Sequence, residues 1–327
     1  MESRGAVRVP HFTKEQFGEE GGSAHSHSRP RLHFPNSDGT DRNPSRHAVS
    51  SRERPRVLAL GSCHLHNAVQ KLGQSGDAKV VFQNYSQTHS TSEMLQLVRY
   101  YLGKTDIPTM MNTFFIETIC QGDFLETGKF LETDFAILEI CHPYSIEFGG
   151  VSINRTLLWQ HLVEPLRSLE NEELWIAAQR WYFNGIMELR YDLVAEHALT
   201  MLEHMPAATP TNNLHRLIVS GITIRKMSLG EMEAHIEEIR RLIAAPLAIA
   251  LHTRRYMPDG RPLSWPPDLA RQVAALAANI NVPLVLASDI VRQLGVDVAL
   301  STDFSYYTEP MNEKYAIELS NLINQVV

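Results

Sequence analysis

Apolar residues recur along this chain at two spacings. Short, largely apolar runs stand at Val57-Leu58-Ala59-Leu60, Val80-Val81-Phe82 after Lys79, Phe135-Ala136-Ile137-Leu138-Glu139-Ile140, Pro246 to Leu251 and Val282 to Ala287. Runs of this length, closed by Gly, Pro or polar residues, are expected of strands buried on both faces of a parallel sheet. Between them the spacing becomes helical. Leu65, Ala68, Val69 and Leu72 predict a helix starting near Ser62 or Cys63, and Met94, Leu95, Leu97 and Val98 a second one capped by Ser90 or Ser92. Further helices are expected over Asp268 to Ile280, over Ile290 to Leu294 capped by Ser288-Asp289, and over about Met311 to Val326. Strands alternating with helices predict an α/β fold, a three-layer α/β/α sandwich around a parallel sheet.

One long span breaks the alternation. From about residue 156 to 244 the pattern is helical throughout, too long for a single crossover, so a helical insertion or cap is expected there. Trp175, Trp181 and Tyr182 in it are candidates for a substrate cleft or for ordinary core. Residues 1–53 mix Ser, Arg, His, Gly and Pro without a sustained period and read as a disordered tail, with His25 and His27 a weak metal pair at most. The folded domain is therefore expected over 54–327.

Polar residues gather where the strands end. Open α/β sheets bind ligands beyond the carboxyl ends of their strands. The first strand turns through Gly61 into Ser62-Cys63-His64, which sets Cys63 at the amino end of a helix. Unpaired N–H groups and the helix dipole favour an anion there and lower a thiol's pKa, the setting of a nucleophile. The second strand leads to a polar loop carrying His89 and Ser90. The third ends in Cys141-His142-Pro143-Tyr144, and Pro143 stops the ladder because it has no N–H. Cys141 reads either as a small buried apolar residue or as a second thiol. The fourth ends in His252-Thr253-Arg254-Arg255.

Charge and cysteine count narrow the class. A net charge of −7 argues against nucleic acid as the main partner. Three cysteines (Cys63, Cys120, Cys141) cannot make a disulfide framework and suit a reducing compartment. No stretch reaches the roughly 18 apolar residues of a membrane span. Arg4, Arg8 and His11 interrupt any signal-peptide pattern. A soluble, cytoplasmic protein is expected.

The order strand, Gly-Ser-Cys, helix, several βα units and an Asp-bearing loop before the last helix resembles the SGNH (GDSL-like) hydrolase superfamily. Its members carry Gly-Asp-Ser in the first block and Asp-x-x-His before the last helix. With Gly61-Ser62-Cys63, this chain looks like the GSCFA-domain and WcbI-type offshoots, in which a cysteine holds the nucleophile's position. The resemblance covers about 55–327 outside the helical insertion, and it implies a flavodoxin-like sheet. It implies Cys63 as nucleophile and Asp303 as the carboxylate of the second block. The second block departs from the pattern: Asp303-Phe304-Ser305-Tyr306 has Tyr where the family has its histidine, and a phenol is a poor base at neutral pH. The Gly-x-Asn-Asp block of the family is also missing.

Three functions fit these residues. The first is an esterase or acyltransferase working through a thioester on Cys63. Its base is a histidine from another strand end, His142 ahead of His252, with His89 and His64 behind, and Asp303 orients it. Ser62, His64, His89, Tyr306 and Arg254 then bind a small-molecule or carbohydrate acyl substrate. No resident cofactor is needed, although acyl-CoA can serve as donor, its phosphate met by Arg254. The second is a binding protein on a catalytically degenerate SGNH fold. The third is a Cys/His metal site among Cys63, His64, His66, Cys141, His142 and His252.

Overall fold

A computed structural model describes residues 53–83, 87–115, 132–207, 210–252, 255–256, 262–263, 268–302 and 306–327. The tail expected over 1–53, with His25 and His27, lies outside the described residues apart from Glu53. So do Asp303, Arg254 and Cys120. A compact unit spans Arg54–Val327.

Its centre is a five-stranded sheet. In chain order the strands are β1 (Arg56–Leu60), β2 (Lys79–Gln83) and β3 (Phe135–Ile140), then β4 (Tyr144–Phe148), β5 (Val151–Ser152) and β6 (Thr223–Lys226) of a separate small sheet. They continue with β7 (Leu247–Leu251), the pair β8 (Arg255–Tyr256) and β9 (Pro262–Leu263), and β10 (Leu284–Leu286). The main sheet runs β10-β7-β3-β1-β2 and all its pairings are parallel. The chain's progression reverses between β1 and β3, so the crevice at their carboxyl ends is a topological switch point.

Residue alternation sends the strands' side chains to two cores. Leu58, Leu60, Ala136, Leu138, Ile140, Leu247 and Ile249 face one side, with helix α2 (Thr91–Tyr101) and the helices Leu229–Ile243 and Leu269–Asn279 packed over them. Val57, Ala59, Phe135, Ile137, Ala248 and Ala250 face the other. There they meet helix α1 (Cys63–Ser75) and the helices Ala287–Leu294 and Glu309–Val326. The fold is thus three-layer α/β/α, as the hydrophobic pattern predicts. None of the described helices is long and apolar enough to cross a membrane.

Two elements differ from the sequence reading. Helix Ala287–Leu294 starts before Ser288-Asp289, so those residues do not cap it, and Asp289 instead pairs with Arg292 one turn on. The span 156–244 is divided: helical turns from Arg155 to Gly221 are bracketed by β4 and β6, which pair antiparallel. The last helix of that span, Leu229–Ile243, packs on the α2 side as the crossover into β7. Trp181 and Tyr182 are buried in the core, while Trp175 is partly buried against it.

Gly61 shows why the first turn needs glycine. A Cβ there would stand 2.7 Å from Glu139 Cβ, 2.8 Å from Leu65 Cδ2 and 2.9 Å from Glu139 Oε2. Gly61→Ala is expected to cost about 1–3 kcal/mol, as overpacking of a filled core does, read as a lowered urea midpoint. An unchanged midpoint would show that Glu139 has room to move.

Candidate active site

Ser62 caps α1: its side chain accepts from His64 N at 3.2 Å, and its extended backbone turns the chain from β1 into the helix. Its own N–H donates to Glu139 Oε2 at 2.7 Å. Glu139 reaches that turn because alternation along β3 puts it on the face of Phe135 and Ile137, towards α1. It is 1% exposed, in a strand whose every residue is buried.

His252 completes the group. β3 and β7 are in register as Ile140 opposite Leu251, and His252 N donates to Ile140 O at 3.0 Å. Two residues beyond Ala250, the His252 side chain returns to the α1 face. Its Nδ1 lies 3.3 Å from Ser62 Oγ and 3.7 Å from Glu139 Oε1.

The electrostatics follow from this contact. Burial by itself would raise the Glu139 carboxyl. Hydrogen bonds from His252 and Ser62, with the charge of His252, outweigh burial and hold it at about 2. Glu139 is therefore a fixed anion under the turn. His64, packed 5.0 Å from the His252 ring and 4.3 Å from Tyr307, is lowered to about 4 by burial and then by the charge of His252. It is a neutral wall residue at pH 7.

Cys63 is half-buried at the first position of α1. The sequence reading expects a lowered thiol pKa there. The N–H groups of Cys63 and His64 do favour the thiolate, but burial first and the negative charge of Glu139 second raise the thiol above its ordinary value of 9.0. The dipole loses to desolvation and a like charge. Ionising this sulfur at neutral pH needs a base.

The other candidates divide plainly. His142 is 2% exposed, and its Nδ1 accepts from Tyr144 N at 3.3 Å. Its ring stacks on His89 at 6.2 Å. Both histidines are pushed well down, by burial and then by the charge of Arg155, and so are neutral. His89 O accepts from the N–H of Cys141 and of His142, and His89 N donates to Glu93 Oε2 at 3.3 Å. Ser90 caps α2. His89 and His142 thus form a packed pair beneath the crevice, whereas it is His252 that touches the Gly-Ser-Cys turn. Tyr306 is exposed, with its ring 6.2 Å from that of His64.

Sequence reasoning missed Glu139. The signal was there, an acid inside an otherwise apolar, fully buried strand, a placement that burial makes costly without partners.

These are the residues against which the chain's relatives can be set. A family model described as the TviD N-terminal domain matches residues 55–321. The chain belongs to that family. It is also similar to the Vi polysaccharide biosynthesis protein TviD of Salmonella typhi, with 24% identity over 258 residues. The aligned stretch makes up 77% of this chain and 30% of that protein, so the chain spans under a third of this curated relative's length. No solved structure matches. The family match takes in the whole Gly61-Ser62-Cys63 turn, Glu139 and His252, and it begins at Pro55, directly before β1.

Proposed function

We propose that this chain is an acyltransferase or esterase of the SGNH type, acting on a carbohydrate substrate through a thioester on Cys63, with His252 as base and Glu139 holding it. The observation that carries the reading is the contact of His252 with both Glu139 and the Gly-Ser-Cys turn at the switch point of the sheet. A carboxylate beside Nδ1 orients a histidine and stabilises its protonated form, which leaves Nε2 for the reacting group. The sheet order supports the SGNH resemblance, and the relative named for polysaccharide biosynthesis supports a sugar hydroxyl as acceptor.

In this reading His252 takes the Cys63 proton and Sγ attacks the acyl carbonyl of a donor such as acyl-CoA. The positive end of α1 faces the charge that develops on the carbonyl oxygen. The C–S or C–O bond to the leaving group breaks, and the imidazolium returns its proton to that group. The acceptor hydroxyl, or water, then gives its proton to His252 and attacks the thioester; the C–S bond breaks and the imidazolium returns that proton to the departing Cys63 sulfur. Glu139 stays ionised throughout. His64 and Tyr306 line the approach.

Acetyl-CoA and p-nitrophenyl acetate, rapidly quenched with acid, test the thioester. Intact-mass analysis is expected to show one acetyl group, which peptide mapping assigns to Cys63. Acetyl on Ser62, or no covalent species while turnover proceeds, would overturn the cysteine.

A further inference from the structure

Three donors converge on the α1 face of the sheet in a way acyl transfer does not require. Alternation carries Cys141, two residues after Glu139, to the same face, and the β3–β7 register sets it level with His252. One ligand atom each of Glu139, Cys141 and His252 lies within 4.8 Å of the other two. Glu139 and Cys141 are buried and His252 is 11% exposed at its side chain. Cys141 has no part in the acyl chemistry proposed above, and it is a free thiol.

We propose that Glu139, Cys141 and His252 form a binding site for Zn²⁺, and that filling it arrests the enzyme. One thiolate, one imidazole and one carboxylate is a donor set zinc accepts. Tetrahedral bonds of about 2.0–2.3 Å put neighbouring ligand atoms roughly 3.3–3.6 Å apart. Glu139 Oε1 and His252 Nδ1 are already 3.7 Å apart, so small rotations draw the set in. The carboxylate supplies charge that a buried cation needs. On binding, the Cys141 thiol loses its proton to solvent and sulfur bonds to the metal. Charge and donor atom both favour a borderline-soft divalent cation over Mg²⁺ or Ca²⁺, which take oxygen ligands. The arrest rests on the reading of His252 as base: its Nδ1 and the Glu139 carboxylate cannot serve metal and imidazolium at once.

Cobalt(II) is the probe for the site, because cobalt bound to a thiolate gives a charge-transfer band in the near ultraviolet. The full chain is expected to take up one Co²⁺ with that band, and Zn²⁺ to displace it. Cys141→Ala, verified as folded by its circular dichroism, should lose the band and bind at least about a hundredfold more weakly. Cys63→Ala should keep it. No band in the native chain, or a band lost with Cys63 rather than Cys141, would overturn the site. For the arrest, Zn²⁺ should stop turnover in a manner EDTA reverses, and Cys141→Ala should turn over normally and ignore Zn²⁺. Binding without inhibition would overturn the arrest. The cobalt measurement needs no activity, so failure of the enzyme reading and failure of the metal site are separable.

Discussion

Cys63→Ala is expected to abolish turnover of acyl-CoA or an activated ester, by at least about a thousandfold in kcat, with unfolding little changed. Losing a nucleophile in a site that acts as a unit removes most of its acceleration. The side chain is half-buried, so truncation leaves no large cavity. Ser62→Ala separates the alternatives, since Ser62 Oγ also stands beside His252. It should cost about 1 kcal/mol of stability through the lost cap and far less turnover than Cys63→Ala. If serine carried the acyl group, the ranking would invert. The raised thiol makes a further expectation: alkylation of Cys63 by iodoacetamide in the free protein should keep rising above pH 9, because its ordinary value is 9.0 and burial and Glu139 push it up. A plateau near neutral pH would mean the helix dipole wins after all.

Glu139→Gln is the second large effect. The amide is nearly isosteric, but it cannot hold an imidazolium by charge and has one acceptor oxygen where Ser62 N and His252 each use one. General acid–base catalysis contributes about 10²–10⁴-fold, and that range is the expected loss in kcat. Stability should change in a pH-dependent way. The folded Glu139 titrates at about 2 against its ordinary value of 4.5. A depressed carboxyl stabilises the fold at pH values above 4.5, and that contribution drains away as pH falls from 4.5 towards 2. Thermal melts should therefore show native protein losing stability across this window more steeply than Glu139→Gln. Parallel curves for the two proteins would contradict the ionised, partnered state. A loss of activity no larger than twofold or so would remove Glu139 from the chemistry and leave it a structural acid.

The two replacements differ in what they ask of the fold. Cys63 sits on a helix start that Ser62 caps independently of the thiol. Glu139 lies within the central sheet and holds the N–H of Ser62. Its loss therefore disturbs the turn itself, and Gly61, packed on its Cβ, would feel the change.

Local pattern was enough for much of this protein. The strand Phe135–Ile140 is legible to the residue because five apolar positions in six, flanked by Asp134 and Cys141-His142-Pro143, read as a buried strand. A start of α1 at Ser62 or Cys63, and a cap of α2 at Ser90 or Ser92, follow from glycine and serine chemistry that acts over three or four residues; the structure selects Cys63 and Ser90. The β4–β6 pairing was not legible: its partners are far apart in sequence, and β4 begins directly after a proline that reads as a stop.

What the sequence by itself determined is the alternation of strands and helices, and the presence of thiols and histidines at strand ends. Each depends on interactions along a few consecutive residues. Only the tertiary structure decided which of those groups meet. The register of β3 on β7, and the side on which alternation leaves Glu139, bring His252 to the Ser62-Cys63 turn and fold His142 back onto His89. It also decided the sign of the Cys63 shift, because burial and a charge 76 positions away in the chain depend on packing in three dimensions.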